Sequence, residues 1–176
     1  MKKNICILYA SHDGQTKKIC EYITKGLATK GATVEICAIH DFKKPINQFD
    51  SVVIGASIRY GKHDDHVSEF INENLSALSE IKTAFFSVNL VARKEEKNSP
   101  TTNPYYLKFM ESINWKPDLP GVFAGRLDYK AYSFLDGLMI KLIMLITKGP
   151  TRTDTPIEYT DWKKVDGFAE DIIRLN

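Results

Sequence analysis

The chain reads as an α/β protein built on a doubly wound, five-stranded parallel sheet of strand order 2-1-3-4-5, with a long insertion after the fifth strand. Three observations predict this. Short apolar runs alternate with helix-period segments from the first residues onward. The first run, Ile5 to Ala10, is continuously apolar or aromatic, as expected of a central strand covered on both faces. Finally, 176 residues with 43% hydrophobic and 26% charged content suit one globular domain, 1–176.

After the first strand, Ile19, Tyr22, Ile23 and Leu27 recur at helical spacing between Gln15 and Lys30, and Gly31 stands where a helix-ending glycine belongs. Thr33 to Ile39 reads as the second strand. The stretch Asp41 to Gln48 is short and holds Pro45, so it is at most a brief helix. Val52 to Ala56 is the third strand, and His66 to Leu78 repeats the helical period through Val67, Phe70, Ile71, Leu75 and Leu78. Thr83 to Val88 is the fourth strand, Tyr105 to Ile113 a helix and Gly121 to Ala124 the fifth strand. Thr160 to Leu175 closes the chain as an amphipathic helix, with Val165, Phe168, Ala169, Ile172 and Ile173 on one side. Right-handed crossovers place the helices on both faces of such a sheet. Ligands then sit beyond the carboxyl ends of the strands, near the switch point.

Composition narrows the function classes. A net charge of +2 does not argue for a nucleic-acid partner. The three cysteines, Cys6, Cys20 and Cys37, fall within predicted strands or helices without C-x-x-C spacing, so free thiols in a reducing compartment are expected. The N-terminal apolar run of six residues is too short for a signal-peptide core. No stretch reaches the roughly 18 apolar residues of a spanning helix.

The loop after strand one, Ser11-His12-Asp13-Gly14-Gln15-Thr16, carries hydroxyls at both ends and a glycine in its turn, directly before a helix. That pattern suits a phosphate, and equally an ordinary helix cap. Neither a G-x-G-x-x-G nor a G-x-x-x-x-G-K-[ST] fingerprint is present, which leaves a monophosphate such as that of FMN. The loops after strands three and four run Ala56-Ser57-Ile58-Arg59-Tyr60-Gly61-Lys62-His63 and Asn89-Leu90-Val91-Ala92-Arg93-Lys94. Both offer the apolar surface and hydrogen-bonding groups that a flat heterocycle needs, and Tyr60 either stacks on a ring or packs under its own loop. His63 and His66 lack a third ligand; solvated surface histidines and no metal are the expectation, with Asp64 and Asp65 as helix N-terminal charges.

Between strand five and the last helix lies a connection over 126–155, longer than compact domains usually carry without a functional reason. Its core, Phe134 to Ile146, is apolar apart from Asp136, Gly137 and Lys141, and from Arg126 to Arg152 five basic residues face two acidic ones. A helix of this kind lies in a membrane interface, or packs against the domain or in a homo-oligomer. Ile140 and Met144, off the main apolar face, favour the interface.

On these residues the chain resembles the flavodoxin family and, within it, the branch of bacterial menaquinone-dependent protoporphyrinogen oxidases. The strings that carry the resemblance are Asp13 to Thr16, Val53 to Gly61, Ser87 to Lys94, Met139 to Met144 and Tyr159 to Trp162. The resemblance implies FMN as cofactor, protoporphyrinogen IX as substrate and menaquinone or ubiquinone as acceptor. It also implies peripheral attachment to the cytoplasmic face of the bacterial inner membrane. Ser11, His12, Asp13, Gly14, Gln15 and Thr16 would hold the phosphate end of the cofactor. Ser57, Ile58, Arg59, Tyr60, Val88, Asn89, Leu90, Val91 and Ala92 would frame the ring. Arg59, Arg93 and Arg126 are candidates for pairing with substrate propionates. Asp13 stands where many flavodoxins carry a hydroxyl, and a carboxylate beside a phosphate is unfavourable unless it points away to cap the helix. The alternatives are a non-enzymatic electron carrier, which is usually more acidic, and an NAD(P)H-quinone reductase. A phospho-acceptor receiver ranks last, because Leu8-Tyr9-Ala10 ends strand one without an acidic cluster.

Overall fold

The computed structural model describes residues 2–175; Met1 and Asn176, the ends of the predicted domain, lie outside the described residues. Strand β1 (Asn4–Ala10) is flanked in parallel by β2 (Thr33–Ala38) and β3 (Ser51–Arg59). Strand β5 (Lys82–Asn89) pairs with β3 on one side and β6 (Leu119–Ala124) on the other, also in parallel. The main path is therefore β2-β1-β3-β5-β6, which is the predicted order once a short hairpin strand, β4 (Lys62–His63), is counted. Helix α1 (Gln15–Thr29) follows β1, and Gly31 ends it with φ +88°, its N–H donating to Ala28 O at 3.0 Å.

Alternation along the strands builds two cores. Ile5, Ile7, Val53, Ala84 and Phe86 point to one face, where α1 and α6 (Trp162–Leu175) cover them with Ile19, Ile23, Leu27, Val165 and Phe168. Cys6, Leu8, Val52, Ile54 and Phe85 point to the other, under Phe70 and Ile71 of α2 (Asp65–Glu73) and Tyr106 and Phe109 of α4 (Pro104–Ser112). A Cβ on Gly55 would run into the ring of Phe86, so the sheet tolerates no side chain there.

Several boundaries differ from expectation. Ile39–Asp41 and Ile46–Gln48 form two single-turn 3₁₀ pieces in place of one brief helix over 41–48, and the second strand ends at Ala38. The helix expected over 66–78 breaks at Asn74, whose side chain bonds back to Phe70 O at 2.9 Å, and resumes as α3 (Leu75–Leu78). The insertion is not loose. Its ends pair as a two-stranded ribbon, β7 (Arg126–Leu127) with β8 (Ile157–Glu158), and its apolar centre is the helix α5 (Phe134–Ile146).

Candidate functional site

The chemistry gathers at the carboxyl ends of β1, β3 and β5, where the chain order reverses. At the end of β1 the backbone turns at Gly14, whose φ of +82° is the left-handed conformation that glycine adopts without cost, and α1 begins. The helix start has no side-chain cap, so its first N–H groups lack intrahelical partners. Beside them, Ser11 Oγ and Thr16 Oγ1 are buried with no hydrogen-bond partner. Two buried orphan hydroxyls at an uncapped helix start form an anion-binding slot that is incomplete without an acceptor. Gln15 also lines the slot; its side-chain Nε2 donates to Thr160 Oγ1 at 2.9 Å, and Thr160 in turn donates to Ala124 O at 2.8 Å. This ties the start of α1 to the end of β6.

The slot, walled also by Ser57, Val88 and Arg126, continues into an apolar cavity of about 260 Å³. Ile58, Arg59 and Tyr60 form one wall of the cavity, and Asn89, Leu90 and Val91 another, as the sequence suggested. The third wall is Met139, Ile140 and Ile143 of α5, together with Tyr132. Ile140 and Met144, which looked like extra membrane-facing surface in the sequence, are the residues that pack inward; Met144 is completely buried. The opposite side of α5 exposes Phe134, Leu135, Leu138, Leu142, Leu145 and Ile146, with Phe134 at 86% of its full accessibility.

Polar contacts pin α5 at both ends. Near its start, Asp136 accepts from Arg59 Nη2, from Tyr60 OH at 2.5 Å and from Ser133 Oγ at 2.6 Å. The Ser133 hydroxyl, then Tyr60, hold the Asp136 carboxyl below the usual carboxylate range. Past its end, Arg93 donates to Thr147 O at 3.1 Å and Thr147 Oγ1 at 2.7 Å, and to Leu90 O at 2.9 Å. Arg93 is thus a clamp between the 90–93 loop and α5, not a group aimed into the cleft. Arg126 lines the slot while pairing with Asp128 at 2.7 Å.

Three further placements differ from the sequence reading. Asp13 does not cap α1; it lies on the wall shared by slot and cavity, where burial pushes its carboxyl up and Arg59 and His12 oppose the shift. His12 points to Asp64 at 3.7 Å, outside the cleft. Ala92 is packed in the core, contributing an N–H to Asn89 Oδ1 rather than a lining surface.

His63 was expected on the surface and is instead 5% exposed, because the β3–β4 hairpin folds it inward against Phe109, 4.5 Å between ring centres. Its Nε2 meets Ser87 Oγ at 2.9 Å, Asn89 Nδ2 reaches the same hydroxyl at 3.2 Å, and Asn89 pairs with Asn103. Burial lowers the His63 pKa to about 3, so the ring is neutral. Asp64 behaves as expected, accepting from His66 N at 3.0 Å at the start of α2. Among the described residues no cluster of metal-ligating side chains occurs.

The doubly wound sheet, the anion slot at the first helix and the cleft at the switch point define a flavodoxin-type protein. The chain belongs to that family, whose flavodoxin-domain model matches residues 6–154. Among its relatives, the protoporphyrinogen IX dehydrogenase (quinone) of Escherichia coli K12 is 42% identical over 170 residues, 96% of this chain and 94% of that one. The protein of the same name from Leishmania major is 42% identical over 173 residues, 96% of this chain and 74% of its own length. In overall shape, the flavodoxin of Streptococcus pneumoniae TIGR4 aligns with a TM-score of 0.56 at 12% identity, covering 97% of this chain and 98% of that one. An archaeal flavodoxin aligns with a TM-score of 0.50 at 18% identity, covering 98% and 95%.

Proposed function

We propose that this protein is an FMN-dependent oxidase of protoporphyrinogen IX that uses a quinone as electron acceptor. The observation that carries this reading is the anion slot opening directly into an apolar cavity whose outer wall is the inserted helix α5. The kinship with protoporphyrinogen IX dehydrogenases over nearly the whole chain supports the choice of substrate and acceptor. The orphan hydroxyls of Ser11 and Thr16 fit the phosphate of FMN, and Ile58, Tyr60, Leu90 and Val91 fit its ring.

When bound, FMN supplies the two-electron redox chemistry. The protein's own task is positioning. The N–H groups at the start of α1 would hold the phosphate, and the 58–60 and 89–91 loops would hold the ring. Tyr132, Met139, Ile140 and Ile143 exclude water from the reacting face. Conversion of the porphyrinogen to the porphyrin removes six electrons and six protons, which three quinones take up as quinols. Asp136, Tyr60 and Arg59 are charged and phenolic groups lining the cavity, where a propionate-bearing ring would bind.

The same reading extends to location. No helix among the described residues is long and apolar enough to cross a membrane. The exposed face of α5, flanked by Lys130, Lys141 and Lys148, suits peripheral attachment to an anionic bilayer in which quinone is dissolved, on the cytoplasmic face of a bacterial inner membrane.

The test is anaerobic. Protein loaded with FMN is mixed with protoporphyrinogen IX and a menaquinone analogue, and porphyrin fluorescence is followed. Quinone-dependent turnover is expected. Bound FMN without turnover would replace this reading with an electron carrier, and turnover with NAD(P)H in place of the porphyrinogen would make the protein a quinone reductase. Flotation with phosphatidylglycerol vesicles, lost in a Leu135→Ser, Leu138→Ser, Leu142→Ser variant, tests the membrane face.

A further inference from the structure

The contact between α5 and the β3–β4 hairpin has the makings of a ligand site. Tyr60 and Gly61 are consecutive left-handed residues, with φ of +51° and +79°. That turn brings the Arg59 guanidinium and the Tyr60 hydroxyl onto opposite oxygens of a single carboxylate. A cation and a phenol converging on both oxygens of one carboxylate is the chemistry by which proteins recognise carboxylate ligands. The carboxylate they hold belongs to Asp136, on a helix 76 residues further along the chain from Tyr60. The three residues line the apolar cavity.

The cavity is also too small as it stands. Its volume of about 260 Å³ is below the roughly 300–1,000 Å³ of pockets that enclose an organic ligand. A tetrapyrrole beside a flavin ring needs more room than that, and an outward shift of α5, which forms one wall, would supply it. That helix is held only along its inner side. Met144 is its one fully buried apolar residue, Asp136 fastens its first turn and Arg93 its end, while six large apolar residues on the outside are exposed.

We propose that Arg59 and Tyr60 form a carboxylate-recognition site that Asp136 fills in cis, and that a carboxylate of the substrate displaces Asp136 and releases the start of α5. The inference rests on the reading of the substrate as a propionate-bearing tetrapyrrole. One exchange of carboxylates then does two things. It gives the propionate a cation in an apolar cleft, and it opens the wall that otherwise closes the cavity. The exchange leaves Arg59 paired with one carboxylate, and the released Asp136 carboxylate moves outward with the start of α5. The same exchange makes binding selective, since an apolar ring without an acidic arm cannot undo the latch.

The test compares two stable probes on the FMN-loaded protein, protoporphyrin IX and its dimethyl ester, by porphyrin fluorescence titration. In Asp136→Asn the internal competitor is weakened, so the diacid binds roughly tenfold more tightly than to the wild type while the ester is unchanged. In Arg59→Gln the preference for diacid over ester disappears. An Asp136→Asn variant that shifts diacid and ester by the same factor overturns the proposal, because α5 has then merely been loosened. Amide exchange over 134–146 provides the independent readout. It is expected to rise in Asp136→Asn, and in the wild type on adding the diacid but not the ester. If neither porphyrin binds while FMN does, the tetrapyrrole reading fails and the carboxylate site falls with it. Turnover of protoporphyrinogen with no preference for diacid over ester overturns the carboxylate site alone.

Discussion

Replacing His63 with Gln tests the buried network behind the ring-binding loops through its dependence on pH. The native ring is neutral, packed between Phe85 and Phe109 and bonded to Ser87 Oγ, with its pKa lowered by burial to about 3. In the unfolded chain the same group titrates near 6.5. Below that value the unfolded state takes up a proton that the native state refuses, so stability is complete above about pH 6.5 and is lost progressively as pH falls toward 3. Between pH 7 and pH 5 the loss from this one group is about 2 kcal/mol, which is more than a tenfold change in the folding equilibrium. Gln does not titrate, and its amide end can still reach the Ser87 hydroxyl.

Urea denaturation at pH 7, 6 and 5 in wild type and His63→Gln separates the two contributions. The wild type is expected to be the more stable at pH 7, with the gap narrowing by about 2 kcal/mol at pH 5. Carboxylates such as Asp136, held low by Ser133 and Tyr60, lose their contribution at more acidic pH and do so equally in both proteins. Parallel stability curves between pH 7 and 5 would refute the reasoning, since they would mean that His63 is protonated or solvated in the native state.

Three other perturbations have signed outcomes. Thr16→Val removes a buried hydroxyl that has no partner in the flavin-free protein, so denaturation of that form should show a gain of about 1 kcal/mol, while FMN fluorescence titration shows affinity falling about tenfold. Gly14→Ala meets no atom within 4 Å, yet φ of +82° makes it costly by about 1 kcal/mol, measurable as a lower urea midpoint. Arg93→Ala removes the donor to Leu90 O, Thr147 O and Thr147 Oγ1, and should raise amide exchange over 143–149 with little change in α1.

Much of the fold was legible because parallel strands buried on both faces are continuously apolar and their helices are strongly periodic, as at Ile5–Ala10 and Val165–Ile173. The slot was legible for a related reason, since a loop placed between a strand and a helix is fixed by both. The signals that failed are those set by contacts distant in the chain. Gln15 sits at the start of a helix in sequence, but its amide is claimed by Thr160, 145 positions away. His63 reads as polar surface until a two-residue hairpin turns it inward. Asp136 is the instructive case. It was visible as a lone acid in an apolar helix, three residues after a capping serine, and that spacing explains only its bond to Ser133. Its bonds to Arg59 and Tyr60 follow from the path of the insertion, which no local pattern specifies.

That path explains why one insertion bears on several properties at once. Helix α5 is apolar around nearly its whole circumference, which a helix on the surface of a water-facing domain has no reason to be. Its inner stripe of Met139, Ile140, Ile143 and Met144 completes a cavity that the flavodoxin sheet alone would leave open to solvent. Its outer stripe of Leu135, Leu138, Leu142 and Leu145 is exposed. A helix with both faces apolar joins the interior of the cleft to whatever lies outside it without an intervening polar layer. For reactants that are themselves greasy and membrane-dissolved, such a connection lets them pass between bilayer and cleft while their apolar surface stays out of water. The two polar fastenings at its ends, Asp136 held by Arg59 and Thr147 held by Arg93, are the contacts that such a passage would have to work against.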